Sequence, residues 1–507
     1  MVKKVELRKG LYYDSVKLML VSKAIADVEG VSKASVVMGT ELNKENLSRQ
    51  GMDSEESRQA GASDLIISLE AETDEALERA VEEMERQLAH NAESQEGACY
   101  RPRTFESALK LQPGTNIAIV SVPGAHAVPV ARDALAAGLH LMLFSDNVSL
   151  EDERALKEEA AERGLLVMGP DCGTAVINGV PLCFANVVSE GSVGMVSASG
   201  TGSQEVMALL DAYGVGITQN IGTGGRDLKE AVGGLTFLQA LATLNEDDDT
   251  KVIVLISKPP SEAITDKILA YVRERVTKPV VLNLIGAEPS EGMGEHVHFA
   301  RSLEECALVA AGLAKGEAVV PFWGAATLED KAQGLARAIG RPDGFVRAYY
   351  SGGTLAYEAE LLFKQHGGAV VTNLSGVRGV DPVDQAAQVV IDFGEDEYTV
   401  GRAHPMIDST LRAEAFERAL NDEKTSIVLL DFVLGYGASA RPHEDFVKLL
   451  HSSDGRVPVV ANVIGTEADP QCLSSVIAEL EEAGILVAPS NKMAIDVVCR
   501  AMEIKER

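Results

Sequence analysis

What this chain has little of narrows its nature first. Aromatic residues are only 5% of 507, and Trp323 is the sole tryptophan. Ala, Val, Leu and Gly abound instead, the composition of buried parallel strands covered by helices. The six cysteines, Cys99, Cys172, Cys183, Cys306, Cys472 and Cys499, have no paired spacing. That excludes a disulfide framework and a zinc site, and it reads as reduced thiols in a cytoplasm. Basic charge is scarce, with 46 Lys and Arg against 76 Asp and Glu and a net charge of -30. Such a surface repels nucleic acid and anionic membranes, so neither is expected as a partner. A charged residue interrupts every apolar run before ~18 residues, and no opening segment has a signal-peptide core. A soluble cytoplasmic protein is the expectation.

What is there centres on one stretch. In Gly194-Met195-Val196-Ser197-Ala198-Ser199-Gly200-Thr201-Gly202 an apolar strand runs into a small-residue turn and then a helix. First-turn N–H groups have no intrahelical acceptor, and the helix dipole adds roughly half a positive charge there, so an anion can settle on them. The device recurs where a strand at 345–350 meets Ser351-Gly352-Gly353-Thr354 and a helix at 355–365. Such junctions also serve simply to turn the chain in any α/β protein. Two of them facing one another would grip one phosphate from both sides.

The length is too great for one core and predicts roughly three or four domains. Residues 1–95 read as a small α+β, ferredoxin-like unit, with strands at 2–7, 35–38 and 65–69. Its helix at 73–88 carries Leu77, Ala80, Val81, Met84 and Leu88 on one face. A polar loop is expected at 43–63 and a linker at 91–104. In 105–190, strands at 116–121, 139–144 and 165–168 alternate with helices, which means a parallel sheet. Val122-Pro123-Gly124-Ala125-His126 stands where G-x-G-x-x-G would follow the first strand, so a dinucleotide lacks its usual phosphate loop.

Two further α/β units are expected at 191–316 and 343–507. Lys258, in Lys258-Pro259-Pro260-Ser261, ends the predicted strand 252–257. Ligands of open α/β sheets lie outside the carboxyl ends of strands, which makes Lys258 either an anion ligand or a solvated lysine before a proline turn. In the last unit the predicted strands 389–392 and 426–431 finish at Asp392 and Asp431. Arg378, Asn462 and Gly465 are its candidate substrate-binding residues.

The order of these motifs resembles the succinyl-CoA synthetase superfamily. Gly169-Pro170-Asp171-Cys172 is similar to its Gly-Pro-Asn-Cys, and Gly194-Met195-Val196-Ser197-Ala198-Ser199-Gly200-Thr201 to its Gly-Ile-Val-Ser-Arg-Ser-Gly-Thr. Ser257-Lys258-Pro259-Pro260 and Tyr398-Thr399-Val400-Gly401-Arg402-Ala403-His404-Pro405-Met406-Ile407-Asp408 resemble the FdrA branch more closely. The resemblance implies a Rossmann-like CoA-binding-type domain followed by two flavodoxin-like domains of the synthetase type. It also implies that helices starting near Thr201 and Thr354 aim their positive ends at a phosphohistidine. Two activities accompany it: acyl-CoA synthesis, and a subunit role in oxamate carbamoyltransferase of purine and allantoin breakdown.

Departures from the family pattern bear on that choice. The first glycine loop is missing, no stretch resembles an ATP-grasp domain, and the histidine motif is blurred to Met293-Gly294-Glu295-His296-Val297-His298. Lys258 stands where the family places a glutamate that steadies the histidine. The expected site is therefore an anion cradle made of Ser199, Gly200, Thr201, Ser351, Gly352, Gly353 and Thr354. Lys258 or Arg402 would hold a substrate carboxylate. His404 would act as acid or base, or would fix the turn before Pro405. Carbamoyl transfer from carbamoyl phosphate to oxamate is the leading expectation, an acyl-CoA ligase the alternative and a non-catalytic metabolite-binding scaffold the third. No metal is expected, CoA only under the alternative. The expected partners are a small anionic substrate and other subunits of a hetero-oligomer around a homodimer core.

Overall fold

The computed structural model describes residues 2–11, 13, 15–61, 64–89, 102, 104–258, 260–287, 294–399, 402–453 and 455–506. It divides into two units, one formed by residues 1–103 with 396–408 and the other by 104–395 with 409–507.

In the first unit the strands Val2–Arg8, Val31–Met38 and Leu65–Ala71 form an antiparallel sheet with Leu65–Ala71 in the centre. Alternation along that strand serves both faces. Leu65, Ile67 and Leu69 pack with Leu18, Val21 and Ile25 of the Ser15–Ala26 helix and with Ala80, Met84 and Leu88 of the Asp74–Ala89 helix. Ile66 points the other way, onto Leu47, Met52 and Ala60. The stretch expected as a polar loop at 43–63 therefore holds two helices, Glu41–Arg49 and Glu55–Arg58. Their starts are capped by Thr40, which accepts from Asn43 N at 3.3 Å, and Ser54, which accepts from Ser57 N at 3.1 Å. Caps and a few buried apolar side chains overrode a polar composition. The expected linker at 91–104 lies outside the described residues except at 102 and 104.

The second unit opens with a parallel sheet of Ile117–Val120, His140–Leu143 and Val167–Met168, covered by the helices Gly124–Ala136 and Leu150–Glu162. Residues of the expected 105–190 unit divide between two sheets here. The hairpin of Thr174–Ile177 and Val180–Cys183 joins the next sheet instead, through Val176 opposite Asn220. Seven strands result, ordered 297–299, 280–284, 252–257, 190–198, 217–222, 174–177 and 180–183. A buried cluster pins the Leu150–Glu162 helix to this sheet: Lys157 Nζ lies 2.9 Å from Glu153 Oε1 and 2.7 Å from Asp227 Oδ1, and donates to Thr223 O.

The six-stranded sheet is parallel throughout, ordered 370–372, 388–392, 345–350, 425–433, 459–464 and 486–488. Its strands are near-continuous apolar runs because helices cover both faces. In the last two sheets the first of the parallel strands, Glu190–Ala198 or Phe345–Tyr350, lies inside with later parallel strands on either side. The helix that follows it thus starts where the strand order reverses, which is where such sheets bind ligands.

Candidate functional site

The Gly200–Ala212 and Gly353–Gln365 helices start at these two reversals, and their starts meet. The hydroxyls of Ser199 and Thr354 lie 2.6 Å apart, both buried. A Cβ on Gly352 would sit 2.5 Å from Thr201 Oγ1, and one on Gly202 would sit 2.7 Å from Thr354 Cγ2. So close an approach leaves no room for an anion between those residues. Ser199, Gly352 and Thr354, expected as anion ligands, build this contact between the two helix starts.

Ser351 is also committed elsewhere. Its N–H donates to Asp431 Oδ1 at 2.8 Å and its hydroxyl reaches both carboxylate oxygens at 3.0 Å. Asp431 in turn pairs with the buried Arg412, which lies against the rings of Phe432 and Phe446. Burial raises the Asp431 carboxyl, with Arg412 opposing. This carboxylate sets the shape of the second turn.

What stays open is the rim. Gly200 is exposed, and Thr201, Gly353 and Lys258 are half-buried. Their first-turn N–H groups have no intrahelical acceptor. Lys258 Nζ lies 5.5 Å from the centre of the Tyr357 ring, and it would meet a Cβ on Gly353 at 2.7 Å. Asp392 Oδ2 reaches the same point at 2.6 Å. Burial pushes the Asp392 carboxyl up to about 7, while the Lys258 ammonium pulls it down.

Beneath the rim the two helices are tied by a hub. Asn491 donates its backbone N–H to Glu205 Oε1 at 2.8 Å and its side-chain amide to Glu358 Oε2 at 2.8 Å and Leu355 O at 3.1 Å. Its Oδ1 accepts from the Tyr350 hydroxyl at 2.9 Å. Burial and the charge of Glu358 raise the Glu205 carboxyl far above the ordinary carboxylate range. Among the described residues Glu205 Oε2 has no hydrogen-bond partner, which makes it the place for a proton. Sequence reasoning missed this hub, Asp392 and Asp431. For the two aspartates a signal existed, since each ends a predicted buried strand.

The other expected residues scatter. Arg402 and His404 belong to segment 396–408, which forms one unit with residues 1–103 rather than with the rim. Arg378 is exposed on the loop after Leu374–Gly376. Asn462 is buried within the Val459–Ile464 strand with its Nδ2 unpaired, and Gly465 packs on Leu434. His296 precedes Val297, which pairs with Val280 at the amino end of the sheet. The rim lies at the carboxyl end, where Leu284 faces Ser257, about 13 Å away by strand rise. His298 pairs with Val281, one residue further in. Of that motif, Met293 lies outside the described residues.

The Rossmann-like face brings no lysine or arginine to its carboxyl end. Its carboxyl-end segments, 121–126, 144–148 and 169–174, contain Asp146 and Asp171 and neither lysine nor arginine. At the Gly124–Ala136 helix start the Asp146–Asn147 backbone fills the space beside Gly124, while Ala125 and His126 are exposed. Cys172 is buried and its thiol is pushed up to about 12, away from reactivity. Among the described residues no cluster of His, Cys, Asp or Glu is placed to hold a metal ion, and no helix is long and apolar enough to cross a membrane.

Comparison with known proteins supplies the context. The family described as AllF, heavy metal-associated domain matches residues 1–102, and the CoA-ligase family matches residues 349–499. The protein YahF of Escherichia coli (strain K12) is 38% identical over 524 residues, covering 99% of each chain. The alpha 1 subunit of succinate–CoA ligase [ADP-forming] from Archaeoglobus fulgidus is 28% identical over 197 residues, 38% of this chain and 65% of that one. An apo dinucleotide-forming acetyl-coenzyme A synthetase of Ca. Korarchaeum cryptofilum aligns with 78% of this chain and 84% of its own, at 15% identity and a TM-score of 0.29.

Proposed function

This chain belongs to the FdrA family of the succinyl-CoA synthetase superfamily, and from that premise we propose that it binds an acyl phosphate at the rim and serves acyl transfer of the acid–thiol ligase type. The observation that carries this reading is the convergence of the Gly200, Thr201 and Gly353 chain with Lys258 on one solvent-reachable edge. Cleaving an acyl phosphate builds charge on the departing phosphate, and groups aimed at that charge lower the barrier. Each charge-assisted contact is worth about 1.5–3 kcal/mol, so a few of them account for a large effect.

The likeness to CoA-ligase and to succinate–CoA ligase subunits supports a thiol as acceptor. Because the carboxyl end of the Rossmann-like face carries no lysine or arginine for the CoA phosphates, partner chains of a hetero-oligomer complete the thiol site in this reading. The same lack of basic residues favours a second reading, in which the carbamoyl group of carbamoyl phosphate passes to oxamate, an acceptor with no phosphates to hold.

The test is phosphate release by the full chain mixed with the products of neighbouring genes. CoA-dependent release from acetyl phosphate is the expected result of the first reading, and oxamate-dependent release from carbamoyl phosphate that of the second. Lys258→Ala should lower whichever rate is seen at least about tenfold, the loss of one charge-assisted contact. Release above background in neither assay removes both readings.

A further inference from the structure

Asp392 sits at an odd place for a carboxylate. It ends the Gln388–Asp392 strand, is 3% exposed, and points at the start of the Gly353–Gln365 helix beside Lys258. One oxygen, Oδ1, accepts from Gly394 N at 2.8 Å. The other, Oδ2, is aimed at Gly353, 2.6 Å from where a Cβ there would stand. The N-cap of that helix, Gly352, has no side chain to bond the first-turn N–H groups. Once ionised, Asp392 is therefore an internal anion at the same positive helix end that an external phosphoryl group would use. Two anions cannot share that space at low cost.

We propose that Asp392 takes the anion as a neutral acid, donating Oδ2–H to a phosphoryl or sulfuryl oxygen beside Lys258, so that each anion bound at the rim carries one proton onto this side chain. The proposal rests on the rim being an anion site. The charged groups facing Asp392 are Lys258, which favours its ionised form, and Glu395 and Asp431, which oppose it. Asp431 is already paired with Arg412. Burial is the largest influence and holds the carboxyl near neutrality, so binding should weaken as pH rises through about 7.

Sulfate is the probe, because its charge does not change between pH 6 and 8.5. Calorimetry on the full chain should show sulfate affinity falling about tenfold per pH unit above the Asp392 transition, one proton being linked to one anion. Buffers of different ionisation heat should report uptake of close to one proton per sulfate at pH 8. Asp392→Asn should bind sulfate at pH 8 as tightly as the wild type does at pH 6, with no proton uptake. Lys258→Ala should weaken binding at pH 6 and move the fall in affinity to higher pH, because the ammonium that favours the ionised carboxyl is gone. A flat wild-type profile, or a slope that survives in Asp392→Asn, overturns the role of Asp392 and leaves the rim standing. The buffer comparison needs no variant and decides the matter if Asp392→Asn does not fold. Absence of sulfate binding at every pH removes the rim reading itself, and this inference with it.

Discussion

The turns at 199–202 and 351–354 read alike in sequence and behave differently. Ser199 caps its own helix, its Oγ accepting from Gly202 N at 3.1 Å while it touches the Thr354 hydroxyl. Ser351 instead turns its N–H and hydroxyl to Asp431, a strand away, and leaves its helix start without a side-chain cap. Asp392 and Lys258 occupy the ground beside that uncapped start. One turn is capped by its own serine, the other is flanked by a buried carboxyl raised to about 7. Equal sequence motifs thus yield a fixed half and an adjustable half of one rim.

Four substitutions break or sharpen this contrast; the three destabilising ones come in decreasing order of effect, with Gly200 as the control for Gly352. Asp431→Ala leaves Arg412 buried without its partner and frees the Ser351 turn; a loss of about 3–5 kcal/mol is expected from denaturant midpoints. A cost under 1 kcal/mol would mean the second turn holds its shape unaided. Gly352→Ala pushes a methyl into Thr201, a β-branched side chain with little freedom to move, and should cost about 1–3 kcal/mol. At Gly200, where the nearest obstacle is Thr174 Oγ1 at 3.3 Å, the same change should stay within about 0.5 kcal/mol. Equal costs at both glycines would deny the close approach of the two starts. Ser199→Ala removes one cap and should lower stability by about 1 kcal/mol, read as a small fall in Tm.

Much of the architecture was legible beforehand because its signals are local. Apolar runs at 252–257 and 426–431 bounded by turn residues announce buried strands, and the spacing of Ala80, Met84 and Leu88 announces a helix face. The helices at 41–49 and 55–58 escaped because caps and two or three apolar side chains are weak signals in a polar stretch. The 174–183 hairpin escaped because strand pairing across sheets leaves no mark in the paired segment itself. His404 and Arg402, plausible by chemistry, belong with residues 1–103, a grouping that motif reading has no means to detect.

By itself the sequence determined that two strand–turn–helix junctions with small residues would exist at 199–202 and 351–354, since turn chemistry and periodicity act over a few neighbours. Only the tertiary structure decided that these junctions touch through Ser199 and Thr354, and that Asp392 and Lys258 flank Gly353. The order of strands in each sheet brings such distant residues together. That order is chosen by how whole layers pack, so no single stretch of chain records it.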